Sequence, residues 1–329
     1  MKYRIGFAEH LKSRESAYGG LPMRIAVIDI GTNSTRLLVA DVTEGGVEEL
    51  ERRTEITRLG EGVDRDGHLQ DEAIERVLST CARYREIADR LSPARPVAVL
   101  TSAVRDADNG PELERALRER FGFDARTITG DDEARLTYLG ATFGRRHAEP
   151  LLVIDIGGGS TEFVVGRGDV VDFYISTQIG SVRHTERLLR SDPPTAEEME
   201  RCSREIRSGI EGAIPPAIRA AVAEGIAVAG TPTSFAAVDL ELEPYDRERV
   251  DGYRLSRSVA EAILARLARM PLEERRKVKG LHPERAPTIV AGGVILVEGM
   301  RGFELDSILV SEHDILEGAA LEAARANGG

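Results

Sequence analysis

Tryptophan is absent from this chain, and aromatic residues make up only 5% of it. That leaves little material for the stacking platforms on which single-stranded nucleic acid is read. Lysine is nearly missing too: Lys2, Lys12, Lys277 and Lys279 stand among 44 basic residues, and the rest are arginine. The net charge is −12, opposite to the basic excess of a duplex-binding protein, so no nucleic-acid partner is expected. Cys81 and Cys202 are the two cysteines, and neither has metal-ligand spacing. They suit a reducing compartment, so a cytoplasmic location is expected. No apolar run nears the roughly 20 residues of a membrane helix, and no membrane partner is expected. Residues 1–22 lack the apolar core of a secretory signal and end in Gly19-Gly20-Leu21-Pro22. They are expected to form a flexible extension outside the fold.

What the chain does have is length and a repeat. Its 329 residues, 41% hydrophobic and 30% charged, are enough for two ordinary soluble domains. Val27-Ile-Asp-Ile-Gly-Thr-Asn-Ser-Thr-Arg-Leu-Leu-Val39 recurs as Val153-Ile-Asp-Ile-Gly-Gly-Gly-Ser-Thr-Glu-Phe-Val-Val165. Each copy is an apolar run ending in Asp, a small-residue turn, then a second apolar run. That pattern predicts two strands joined by a tight loop, with a carboxylate and a phosphate-sized turn at the tip. Two such hairpins predict two related half-domains facing each other across a cleft.

Helical spacing of Ile74, Val77, Leu78, Cys81, Tyr84 and Ala88 predicts a helix over 71–90. Further helices are expected over 111–121, 131–143, 181–190, 195–214, 256–269, 285–300 and 312–326. Strands are expected at 24–30, 35–41, 48–59, 96–101, 126–129, 225–230 and 306–310. Strands alternating with helices make this an α/β protein, and the hairpins make its sheets mixed. The domains are expected at 23–145, joined by the C-terminal segment 311–329, and at 146–310.

The turn Asp155-Ile-Gly-Gly-Gly-Ser-Thr-Glu162 carries the clearest chemistry. Gly157, Gly158 and Gly159 have no Cβ, so their backbone N–H groups can converge on one anion, and Ser160 and Thr161 add hydroxyls. Asp155 and Glu162 are hard oxygen ligands suited to Mg²⁺ (or Mn²⁺) shared with phosphate oxygens. The alternative is a plain hairpin whose glycines only satisfy turn geometry; the second copy favours the phosphate site. In the first copy Asn33, Ser34 and Thr35 are candidate phosphate donors, and Asp29 is a further candidate metal ligand. Arg36 takes the place of Glu162, where an ordinary structural salt bridge is equally open. Arg105, after a strand end, is either a phosphate fork or an exposed arginine paired with Asp106 or Asp108. Glu133, in the first turn of a helix, reads as readily as a capping carboxylate as a catalyst.

The segments Asp29-Ile-Gly-Thr-Asn-Ser34, Thr101-Ser-Ala-Val-Arg-Asp-Ala-Asp-Asn109, Thr129-Gly-Asp-Asp-Glu-Ala134 and Asp155-Ile-Gly-Gly-Gly-Ser-Thr-Glu162 occur in one order. As a set they resemble the exopolyphosphatase/guanosine pentaphosphate phosphohydrolase (Ppx/GppA) family of the actin-like ATPase superfamily. The resemblance runs from Met23 almost to the C-terminus. It implies two actin-like (ribonuclease H-like) domains flanking a cleft, in the short two-domain form. It also implies Glu133 as the catalytic residue for water, and Asp155 and Glu162 as metal-associated carboxylates. Asn33, Ser34, Arg105 and the turn from Gly157 to Thr161 would be phosphate contacts. Gly180-Ser181-Val-Arg183 resembles a further segment near the site. Gly230 and Thr231 resemble the third glycine turn, although Ala229-Gly-Thr-Pro232 departs from the usual Gly-Gly-Thr. The implied activity is Mg²⁺-dependent release of orthophosphate from inorganic polyphosphate, with a homodimer as the implied assembly. Hydrolysis of guanosine pentaphosphate (pppGpp) is the alternative, as is a sensor that binds polyphosphate or nucleotide without cleaving it. A kinase would need a better nucleotide turn, and an actin-like scaffold would polymerise.

Overall fold

The computed structural model describes residues 22–327 except 92, 94, 95, 146 and 169. Apart from Pro22, the extension expected over 1–22 lies outside the described residues. The chain divides into two compact units. Among the described residues the first comprises 22–145, Gly168, Val170 and 314–327; the second comprises 147–167 and 171–313. No helix among the described residues is long and apolar enough to cross a membrane.

The first unit is built on β1 (Met23–Ile30), β2 (Ser34–Thr43), β3 (Gly46–Ile56), β4 (Val97–Leu100) and β5 (Asp124–Thr127). They lie in the order β3-β2-β1-β4-β5, with β1, β4 and β5 parallel and β2 and β3 antiparallel. Side chains alternate along a strand, and here both faces are covered, which is why β1 reads as a continuous apolar run. Ala26, Ile28 and Ile30 enter a core with residues of α1 (Asp71–Leu91) and α3 (Gly110–Phe121). Ile25 and Val27 enter another with residues of α4 (Gly130–Thr142) and α10 (Ile315–Asn327). The one-turn α2 (Ser102–Arg105) follows β4, where a loop was expected.

The second unit repeats the plan. Its strands are β6 (Leu151–Ile156), β7 (Thr161–Arg167), β8 (Val170–Thr177), β9 (Glu224–Val228), β10 (Arg254–Ser256) and β11 (Ser307–Val310). The order is β10-β11-β9-β6-β7-β8, with β6, β9 and β11 parallel. Around them lie α5 (Ser181–Leu188), α6 (Ala196–Ala213), α7 (Gly230–Asp239), α8 (Arg257–Ala268) and α9 (Ile289–Gly302). Among the elements that go beyond the sequence expectation, three are instructive. β10 has three residues, too few to show a period. β8 is an edge strand, half-buried along most of its length, without the alternation that marks one face. α7 opens on Gly-Thr-Pro, which reads as a turn, yet every residue from Thr231 to Val238 is buried. Tertiary burial outweighs local propensity there.

α4 and α10 cross at backbone contact. A Cβ added at Gly140 would lie 1.8 Å from the Asp314 carbonyl oxygen, and one at Gly318 would lie 1.9 Å from that of Leu136. This crossing fixes the helix that carries Glu133 against the C-terminal helix. Gly140→Ala should therefore lower stability by about 1–3 kcal/mol, the usual cost of overpacking. Urea denaturation checks this: the midpoint falls at unchanged slope, whereas an unaltered midpoint would refute the crossing.

Candidate active site

The first unit gathers its candidate residues at the carboxyl ends of three adjacent parallel strands and the second at those of two, the edge where open α/β sheets bind ligands. In the first unit, β1 ends in the turn 31–33, β4 leads to Thr101–Arg105, and β5 leads to Ile128–Glu133. Backbone bonds from Thr101 N to Ile30 O (3.2 Å) and from Ile128 N to Leu100 O (3.0 Å) keep the three exits in step. In the second unit β6 ends in the glycine turn, and β9 ends beside it, Val228 lying opposite Asp155.

The two hairpin turns share one backbone bond: Gly31 N donates to Ser34 O at 2.9 Å, and Gly157 N to Ser160 O at 3.0 Å. In both, the turn carbonyls are occupied from one side. In the second unit, Gly157 O accepts from Ser181 N (3.0 Å) and Gly158 O accepts from Val182 N (2.9 Å) and Arg183 N (3.2 Å). The Arg183 Nε adds a bond to Gly159 O at 2.9 Å. These donors belong to the first turn of α5, whose N–H groups have no partner within the helix. Across a trans peptide, C=O and the following N–H point to opposite sides. The N–H groups of Gly158, Gly159 and Ser160 therefore point away from α5, as an anion cradle requires. The approach is close: a Cβ on Gly180 would lie 2.2 Å from Gly158 O. In the first unit the segment after β3 does the same work. Thr57 N and Arg58 N donate to Asn33 O (3.1 and 3.0 Å), and Gly60 N donates to Thr32 O (2.8 Å). That turns the N–H groups of Asn33 and Ser34 outward.

Position by position, one cross-strand pair of the hairpins differs in charge. Asp29 stands opposite Arg36, and Asp155 stands opposite Glu162. The Arg36 guanidinium lies 2.6 Å from Asp29 and also bonds Asp314, at the start of the chain's last helix. Burial pushes the Asp29 carboxyl up, and Arg36 opposes that shift. In this structure the Asp29 carboxylate is engaged by Arg36. Asp155 and Glu162 are 8% and 1% exposed, and Ser176 of β8 donates to Glu162 at 2.7 Å. No group of three or more His, Cys, Asp or Glu converges among the described residues. Two hard carboxylates fit a cation that takes its other oxygens from phosphate and water, as Mg²⁺ commonly does.

Three candidate threonines have their side chains turned into the fold. Thr35 is fully buried, with its Oγ1 at 2.9 Å from that of Thr57. Thr161 is fully buried and donates to Ile179 O at 2.6 Å. Thr231, 6% exposed, packs its side chain on Gly292 of α9.

Glu133 and Arg105 come together. Thr129 caps α4 by accepting from Asp132 N, and Glu133 N donates to Thr129 O at 3.0 Å. Arg105 Nη1 lies 3.1 Å from Glu133 Oε2 and 3.0 Å from Ile128 O. Neither Asp106 nor Asp108 is its partner in this pair; Asp108 lies 2.6 Å from His68 Nδ1. Glu133 is 7% exposed, a carboxylate aimed by an arginine rather than a solvated helix cap.

The Ppx/GppA phosphatase family matches residues 38–326. Exopolyphosphatase 2 of Mycobacterium tuberculosis is 37% identical over 316 residues, covering 92% of this chain and 98% of its own. The chain belongs to the Ppx/GppA phosphatase family. The crystal structure of an exopolyphosphatase-like protein resembles it with a TM-score of 0.89 at 34% identity, covering 94% of this chain and 99% of that one. An Aquifex aeolicus member of the Ppx/GppA family gives 0.80 at 32%, again covering 94% and 99%. The actin-like α/β fold with mixed sheets is the one the sequence leads one to expect.

One departure from the Ppx/GppA pattern has a physical consequence. Ala229, the cap of α7, has φ 71° and ψ −170°, a region essentially confined to glycine. The next residue has no room for a side chain, since the Arg285 guanidinium packs directly on Gly230. No sequence pattern links Arg285 to this turn; the contact with Gly230 does. Replacing Ala229 by Gly relieves strain and should stabilise the protein by about 1 kcal/mol, net of the unfolded-state entropy of glycine. A higher melting temperature is the expected readout; a lower one would show the backbone relaxed around alanine.

Proposed function

We propose that this chain is an exopolyphosphatase that hydrolyses the terminal phosphoanhydride of inorganic polyphosphate and releases orthophosphate. The observation that carries the reading is the second hairpin: outward N–H groups of Gly158–Ser160 beside the opposed carboxylates Asp155 and Glu162. Family membership supports it, as does the name of the Mycobacterium tuberculosis relative.

In-line attack of water on a terminal phosphorus breaks its bridging P–O bond, and the shortened chain leaves with the bonding electron pair. The water proton passes to a carboxylate oxygen of Glu133, held in place at Oε2 by Arg105. The backbone N–H groups of Gly158, Gly159 and Ser160 hold the non-bridging oxygens. Mg²⁺ or Mn²⁺, when held by Asp155 and Glu162, would neutralise charge that a protein of net charge −12 otherwise repels. We assign the protein to the cytoplasm as a homodimer, with polyphosphate as its partner and neither nucleic acid nor membrane.

A phosphate-release panel tests the reading, comparing triphosphate, long polyphosphate, guanosine pentaphosphate and ATP, each with and without Mg²⁺. Mg²⁺-dependent release from polyphosphate is expected. Faster turnover of guanosine pentaphosphate would reassign the substrate, and binding without release would make the chain a sensor. Glu133→Gln should lower kcat by about 10²–10⁴, the usual worth of a general base, while polyphosphate affinity stays within about threefold. Retained turnover would remove Glu133 from its role.

A further inference from the structure

His184 is a buried histidine that the proposed mechanism does not use. It lies on α5, the helix whose first turn holds the carbonyls of the glycine turn, and it is 2% exposed. Gly180 caps that helix and has no side chain to do the capping. The imidazole of His184 reaches back instead: Nδ1 lies 3.3 Å from Gly180 N and 3.1 Å from Gly180 O. At its other end Nε2 faces Glu205 of α6 at 3.8 Å, and Glu205 also pairs with Arg187 at 3.1 Å. A neutral ring with its proton on Nε2 satisfies both ends: Nε2–H points to the carboxylate, and Nδ1 accepts from Gly180 N–H.

Gly180 is where this arrangement meets the phosphate turn. Its Cα lies against the Gly158 carbonyl and the Gly159 backbone, too close for any side chain. A displacement of Gly180 therefore moves the carbonyls of the turn and, through the trans peptides, the N–H groups on the far side.

We propose that His184 is a positioning residue: its neutral ring holds the Gly180 cap, and through it the phosphate-facing amides of Gly158, Gly159 and Ser160. The claim rests on the exopolyphosphatase reading only for its kinetic readout. Burial, the largest influence, holds His184 below its ordinary pKa of 6.5, against the upward pull of the Gly180 carbonyl beside Nδ1 and of Glu205; Arg187 and Arg183 push it further down. The ring is thus neutral at pH 7. As pH falls through the lowered value, a proton arrives on Nδ1 and the Gly180 N–H loses its acceptor. Protonation is also harder in the folded than in the unfolded chain, so this histidine's contribution to stability is full above 6.5 and is lost on acidification.

The test uses the full chain in three measurements. Amide hydrogen exchange of the 157–160 segment, without substrate, should be roughly tenfold faster in His184→Leu, the scale of one lost hydrogen bond, and near wild type in His184→Asn, which restores an acceptor. In polyphosphate hydrolysis, His184→Leu should raise KM roughly tenfold with kcat within about twofold, because the amides grip substrate and transition state alike. Wild-type KM should climb below pH 6.5 relative to His184→Asn on the same substrate, so that substrate protonation cancels. Glu205→Gln should move that climb to lower pH, since loss of the negative charge makes the ring harder to protonate. Unchanged exchange and KM in folded His184→Leu would overturn the proposal, as would a climb that Glu205→Gln leaves in place. If His184→Leu fails to fold, Glu205→Gln decides, its carboxylate being 40% exposed. If wild type releases no phosphate at all, the function proposed above fails, and the exchange measurement still decides the role of His184.

Discussion

One cross-strand position reverses charge between the two hairpins of this molecule. In each hairpin a buried aspartate ends the first strand, and the residue directly opposite decides its fate. Opposite Asp29 stands Arg36, and the pair closes on itself with Asp314 as a third member. Opposite Asp155 stands Glu162, and like charges directly opposed weaken a sheet. Two carboxylates kept at 8% and 1% exposure make sense where a cation and a phosphate chain balance them. On the proposed reading, the first hairpin closes on an ion pair, and the second offers its two carboxylates to a cation.

The rest of the architecture holds these turns still. Both depend on a segment that follows the third strand and takes up the turn carbonyls, though the means differ. An irregular segment, Thr57–Gly60, does it in the first unit, and the first turn of α5 does it in the second. Helix N–H groups that are often offered to anions are here consumed by the loop, and the loop amides face outward in their place. Glu133 is held by a comparable economy: a capped helix start, the Arg105 contact and the Gly140–Gly318 crossing all act on α4.

Much of this was legible in the sequence. The repeat shows the hairpins, the glycines show where backbone packs too closely for a side chain, and the Glu162/Arg36 difference shows that the halves have diverged. The inward placement of two threonine side chains follows from the pleat. Glu162 faces the same side of the sheet as Asp155, so Thr161 must face the other side and enter the core; Thr35 beside Arg36 follows the same rule. Asp314 could not be found, since it is 278 residues from Arg36 and no local pattern links them. Arg105 was weighed against its sequence neighbours, but one helical turn carries it to Glu133 instead. The departure at Ala229 was visible, while its cost appears only with the backbone angle.

The central claim is that Asp155 and Glu162 together hold a divalent cation with phosphate. Electron paramagnetic resonance of Mn²⁺, titrated into the protein with pyrophosphate present, tests it without relying on turnover. The account predicts one bound ion per chain in the wild type and an affinity weaker by roughly tenfold or more in Glu162→Gln. Equal Mn²⁺ affinity in the two proteins would contradict it.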